Sequence, residues 1–184
     1  MELAYDFVRD CFRGKVRDDG ITPAATHAYH TAENMITLGH VKDEDLIIAG
    51  LLHDCIEDAP EWIDASVFIR KHFGQFVRNV VQEVTLPPHT DFERKTLFMV
   101  RLMEEGSPEA VLVKLCDRLD NLRSMGCWKL PRQERYIEQT QKMLLAFGGR
   151  AFRNENAKRQ LRLNSAIWNV IREIRRTLGE QVEW

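Results

Sequence analysis

No apolar run in this 184-residue chain approaches the roughly 20 residues a membrane-spanning helix needs. The one from Leu46 to Leu52 is cut off at once by His53 and Asp54. The first residues, Met1 to Asp6, lack the basic start and apolar core of a signal peptide. Cys11, Cys55, Cys116 and Cys127 include no C-x-x-C pair, which sets aside a zinc knuckle and a thioredoxin-like redox motif. The expectation is reduced, buried thiols in a cytoplasmic protein. There is no internal repeat, no low-complexity tract and no sustained alternation of the kind a half-buried strand requires. Charge of one sign is also missing, since a net −2 gives no overall pull toward nucleic acid or anionic membrane. A small-molecule partner is expected, with neither membrane nor nucleic acid engaged.

What is present fits one globular domain: 44% hydrophobic and 29% charged residues, in a chain long enough for a substantial core. Apolar residues recur at helical spacing throughout, so the fold class is all-α. Leu3, Phe7, Val8 and Phe12 make a first amphipathic helix. A polar loop covers residues 14–22, and Pro23 suits the first turn of a helix ending at Gly39. Asp43 and Asp64 are placed to cap further helices, and Gly74 breaks the second of them. Residues 86–89, with Pro87 and Pro88, form a rigid non-helical loop. Helices then occupy residues 92–104, 108–125 and 131–147, with Gly148-Gly149 as a cap or hinge. From Arg150 to Trp184 there are eight Lys/Arg against four Asp/Glu, which leaves the first 149 residues at about −6. Residues 150–184 are therefore expected to form a basic amphipathic extension, docked on a 1–149 body or across a homo-oligomer.

The segment Leu51-Leu52-His53-Asp54-Cys55-Ile56-Glu57-Asp58-Ala59-Pro60 stands out. As the end of one helix stopped by Pro60, it would crowd Asp54, Glu57 and Asp58 against the negative end of the helix dipole. Such an arrangement calls for a compensating cation, and a divalent metal beside an imidazole and a carboxylate is the economical choice. Two distant segments contribute residues of the same type, His27 and Asp117. Two imidazoles and two carboxylates suit Mn²⁺, Fe²⁺ or Zn²⁺ and leave positions open on a six-coordinate ion. Asp117 lies three residues after Lys114, but its apolar neighbours Val113, Leu115 and Leu119 argue for a buried carboxylate that needs a partner. Glu57 follows His53 by four residues, as Asp58 follows Asp54, so either could orient or deprotonate a water. Asn121, four residues after Asp117, could hold a sugar hydroxyl or phosphate oxygen.

Thr22-Pro23-Ala24-Ala25-Thr26-His27, the His53-Asp54 dipeptide with Glu57-Asp58, and Lys114-Leu115-Cys116-Asp117-Arg118-Leu119-Asp120-Asn121 occur in an order that resembles the HD-domain phosphohydrolases. The closer resemblance is to RelA/SpoT-type (p)ppGpp hydrolase domains and their small stand-alone relatives. It covers roughly residues 17–123 and implies an HD-domain helical bundle with a divalent ion, most simply Mn²⁺, on His27, His53, Asp54 and Asp117. It further implies that Glu57 and Asp58 serve the attacking water, that Arg17 contacts substrate phosphate, with Arg118 or Lys114 as a further cation, and that Asn121 lines the nucleotide pocket. Ala24, Asp91 and Asp120 depart from the family pattern, where an aromatic, a basic residue and Tyr or His are usual.

The expected activity is removal of the 3′-diphosphate from guanosine-3′,5′-bis(diphosphate), releasing pyrophosphate, or action on another 3′-phosphorylated nucleotide such as NADPH. An HD-type 5′-nucleotidase acting on nucleoside monophosphates and a non-catalytic nucleotide-sensing module are the competing readings.

Overall fold

A computed structural model describes residues 1–152 and 157–179. The helices run in chain order as α1 (Glu2–Cys11), α2 (Ala25–Thr37), α3 (Glu44–Leu51), α4 (Cys55–Asp58), α5 (Ala65–Val84), α6 (Phe92–Glu105), α7 (Pro108–Ser124), α8 (Leu130–Phe147) and α9 (Ala157–Thr177). Among the described residues there is no strand, only an isolated antiparallel bridge between Val16 and Pro23. The all-α expectation holds. Asp43 and Asp64 cap α3 and α5, accepting from the Leu46 and Val67 amides. Gly74, at φ +86°, splits α5 into two helical halves, and Gly148 ends α8 in the left-handed conformation at φ +54°. Asp91 accepts from the Arg94 amide at 2.8 Å, so its departure from the family pattern supplies a helix cap.

The centre of the molecule is α7, packed by α2, α5, α8 and α9. Every residue from Glu109 to Asp120 is buried, which is the behaviour of a helix that is apolar on nearly all sides. Its apolar members, among them Val111, Leu112, Leu115 and Leu119, form the heart of the core. Its polar members Lys114, Asp117, Arg118 and Asp120 are buried as well and must find partners inside. On the far side, α9 packs along α7 through Ile167, Val170 and Ile174, each with no exposed surface. Residues 153–156 and 180–184 of the basic extension lie outside the described residues.

The His53-Asp54 segment differs from the expected single helix. α3 stops at Leu51, before His53, because the His53 ring itself takes the Gly50 carbonyl at 2.9 Å. A side chain that captures one of the last carbonyls of a helix ends it. Asp54 then stands at the N-cap position of the new four-residue helix α4, where its side chain makes no capping bond. Glu57 and Asp58 lie in the first turn of α4, so the expected repulsion by a helix C-terminus does not arise. Pro60 closes α4 instead, with Ala59 extended at ψ 145°.

Gly50 is where α3 meets α2. A Cβ added there would lie 2.1 Å from the Met35 sulfur, which is fully buried. Gly50→Ala is expected to cost about 1–3 kcal/mol through overpacking. Because the Gly50 carbonyl also holds His53, thermal melts of this variant should show a smaller stabilisation by added Mn²⁺ than melts of the wild type.

Candidate metal centre

Three elements bring ligand-type atoms together: His27 from α2, His53 and Asp54 from the turn between α3 and α4, and Asp117 from α7. Ligand atoms of His27, His53 and Asp54 lie within 4.8 Å of one another. His27 Nε2 is 3.6 Å from Asp54 Oδ2 and 3.0 Å from Asp117 Oδ1, and the two imidazole rings meet edge to face at 5.1 Å. Asp117 stands at the edge of this group, its Oδ2 taking the buried Lys114 ammonium at 2.8 Å and its Oδ1 the Asn121 amide at 2.7 Å.

The hydrogen bonds decide which nitrogens face the cluster. His53 Nδ1 can only donate to the Gly50 carbonyl, which turns its Nε2 toward the cluster. That Nε2 is buried without a hydrogen-bond partner, although Asp54 Oδ2 is 3.0 Å away. A buried imidazole nitrogen and a carboxylate oxygen that face each other without a hydrogen bond suit a cation held by both. His27 repeats the pattern: Nδ1 faces Asp120 Oδ2 at 2.6 Å and Nε2 faces the other carboxylates. A ligand imidazole whose second nitrogen is tied to a carboxylate or carbonyl is the usual support of a metal-binding histidine.

The charges agree. Asp54, Asp117 and Asp120 carry one more charge than Lys114 and Arg17, the two cations bonded to this cluster, can neutralise. Burial works against a charged His27, but its bonds to Asp117 and Asp120 outweigh burial and raise its pKa to about 10. Burial likewise opposes ionisation of Asp117, yet the Lys114 ammonium and His27 hold its carboxyl well below the usual range. Without a metal, a proton on His27 fills the deficit; a divalent ion on the same Nε2 takes its place and displaces that proton. Below a pH of about 10, binding must therefore release a proton from His27. Apparent metal affinity should rise about tenfold per pH unit between pH 6 and pH 8. Calorimetric titration in buffers of different ionisation enthalpy, which reads proton release directly, checks this.

Around the cluster, Glu57 accepts the Leu86 amide, and Lys15 holds Asp58 through its carboxylate at 3.3 Å and its carbonyl at 2.6 Å. Burial raises the pKa of Glu57, against the Leu86 hydrogen bond, as suits a proton-transfer group. Arg17 reaches α7 with Nη1 3.0 Å from Asp120 Oδ2, and Nη2 donates to Asn121 Oδ1 at 3.1 Å and Ser124 Oγ at 2.7 Å. Arg17 and Asn121 thus lie side by side at one edge of the cluster. Arg118 does not belong there: it is 2% exposed, lies over the Tyr136 ring at 4.0 Å and donates to Gln139. Its side chain points into the core because successive residues of a helix diverge.

Sequence reasoning missed Lys15, the Gly50 carbonyl and the orienting bonds of Asp120. His30 is half exposed but bonds Asp120 Oδ1 through Nδ1 at 2.9 Å. The spacing of Asp117, Asp120, Asn121 and Ser124 along one face of α7 is the signal that could have revealed this edge. Of the cysteines, Cys11, Cys55 and Cys116 are buried and free, whereas Cys127 is exposed.

A family model described as an HD domain matches residues 4–151. The chain is 34% identical over 142 residues to guanosine-3′,5′-bis(diphosphate) 3′-pyrophosphohydrolase of Xenopus tropicalis, covering 72% of this chain and 75% of that one. It is 33% identical over 168 residues to the Homo sapiens protein of the same name, covering 86% and 90%. The solved structure of a metazoan ortholog of SpoT that hydrolyzes ppGpp superposes with a TM-score of 0.73 at 23% identity over 94% of each chain, which supports the fold. With the family model spanning most of its length and relatives this similar along most of theirs, this chain belongs to the HD-domain family.

Proposed function

We propose that this chain is a divalent-metal-dependent phosphohydrolase that cleaves guanosine-3′,5′-bis(diphosphate) to GDP and pyrophosphate. The observation that carries this reading is the pair of imidazoles with pinned Nδ1 atoms, whose Nε2 atoms face Asp54 and Asp117. Its substrate follows from relatives named for that activity that align along most of their length. His27, His53, Asp54 and Asp117 would hold the ion, with Mn²⁺ preferred and Fe²⁺ or Zn²⁺ compatible with the same nitrogen and oxygen donors. When bound, such an ion supplies Lewis-acid polarisation at a phosphoryl oxygen.

The chain's own residues supply the rest. Glu57, its pKa raised by burial, takes a proton from the attacking water, and Asp58, steadied by Lys15, orients that water. Arg17, pre-set by Asp120, Asn121 and Ser124, offers its guanidinium to the substrate phosphates, and Asn121 lines the nucleotide pocket. Water adds to the phosphorus next to the 3′ oxygen, the P–O3′ bond breaks, and the 3′ oxygen gains a proton. No helix among the described residues is long and apolar enough to cross a membrane, and we place the enzyme in the cytoplasm.

The test is a substrate panel with Mn²⁺: guanosine-3′,5′-bis(diphosphate), NADPH and deoxynucleoside monophosphates, assayed separately for pyrophosphate and orthophosphate. Pyrophosphate from the first substrate supports the proposal. Orthophosphate from NADPH or the monophosphates, with the first substrate untouched, moves the enzyme to a different substrate. Nucleotide binding with no turnover of any panel member would make it a sensing module.

A further inference from the structure

Asp120 is 5% exposed, and its carboxylate is shared among three side chains from two other segments. Oδ2 lies 2.6 Å from His27 Nδ1 and 3.0 Å from Arg17 Nη1, and Oδ1 lies 2.9 Å from His30 Nδ1. One oxygen atom thus serves a candidate metal ligand and a candidate phosphate ligand together. A carboxylate on the Nδ1–H of a ligand imidazole fixes the tautomer and makes Nε2 a better donor to the ion. The same oxygen holds one arm of the Arg17 fork while Asn121 and Ser124 hold the other.

We propose that Asp120 is a positioning residue that couples the metal centre to the phosphate-binding arginine by holding His27 and Arg17 through a single oxygen. This rests on the metal-centre reading above. When substrate phosphate draws on the Arg17 guanidinium, less positive charge remains on Oδ2 and more of its electron density is available to His27. Substrate binding and metal binding then strengthen one another, and linkage makes the effect equal in both directions. His30 takes the second oxygen and keeps the carboxylate from rotating out of the plane that serves the other two.

The test compares wild type with Asp120→Asn, which keeps the shape but replaces the shared acceptor with a neutral amide. Mn²⁺ titration of metal-free protein should show about 10- to 100-fold weaker binding in the variant. Long-range ¹⁵N NMR of the Zn²⁺-loaded wild type should show His27 protonated at Nδ1 and bonded to the ion through Nε2. In turnover, KM should rise together with a fall in kcat, since both Arg17 and His27 lose their support. A purely structural Asp120 would lower the melting temperature without moving Mn²⁺ affinity in the folded variant or the tautomer. Mn²⁺ binding within twofold of wild type overturns the proposal, and so does a wild-type His27 protonated at Nε2. The NMR measurement needs no variant, so the contrary tautomer would overturn the proposal even if Asp120→Asn does not fold. Wild type that binds no Mn²⁺ would instead sink the metal-centre reading itself.

Discussion

Replacing Asp54 with alanine should abolish tight divalent-metal binding and lower kcat/KM for guanosine-3′,5′-bis(diphosphate) by roughly a thousandfold or more. A bound ion contributes several kcal/mol of transition-state stabilisation, and about 1.4 kcal/mol corresponds to a factor of ten in rate. The fold should survive. The Asp54 side chain is partly exposed and makes no capping bond, so its removal leaves no helix end uncapped and opens no large cavity. Calorimetry for Mn²⁺ together with a turnover assay checks both halves. A variant that still binds one Mn²⁺ tightly would show that Asp54 is not a ligand. Asp54→Asn should resemble the alanine variant, because an amide keeps the shape but not the charge that faces His53 and His27.

Glu57→Gln should lower kcat by about 10²–10⁴-fold, the usual contribution of a positioned acid–base group, while Mn²⁺ affinity stays within a few-fold of wild type. Glu57 lies outside the tight ligand group and is held by the Leu86 amide, so its removal leaves the ion's contacts intact. The pH profile gives a second readout. A base must be ionised to act, and burial raises the pKa of Glu57. Wild-type kcat should therefore decline toward acid pH through a value above that of an ordinary glutamate, and this decline should be absent in Glu57→Gln. A fall in Mn²⁺ affinity parallel to the fall in kcat would instead make Glu57 a metal ligand. Asp58, whose carboxylate is already engaged by the Lys15 ammonium, should give a smaller loss when changed to asparagine.

The helices and several of their caps were legible from local chemistry. Apolar spacing and the capping aspartates at 43 and 64 depend only on neighbours within a few residues, and these features appear where expected. The end of α3 was not legible in this way. Pro60 is an obvious stop, but the helix already ends at Leu51 because His53 turns back onto the Gly50 carbonyl. That contact depends on the burial of His53, which only the packed fold supplies. The candidate ligands themselves were legible because metal chemistry restricts residue types so strongly. Their supporting shell was not: Arg17 meets Asp120 across 103 residues, and Lys15 meets Asp58 across 43. Arg118 shows the converse. It shares a motif with Asp117, yet its place on the helix turns it toward Tyr136 and the core.

The most direct measurement is an anomalous difference map from crystals of the full chain grown or soaked with Mn²⁺. A single strong peak is expected within bonding distance of His27 Nε2, His53 Nε2 and the carboxylates of Asp54 and Asp117. A map with no peak at that position, or one in which these four side chains point away from a common centre, would contradict it.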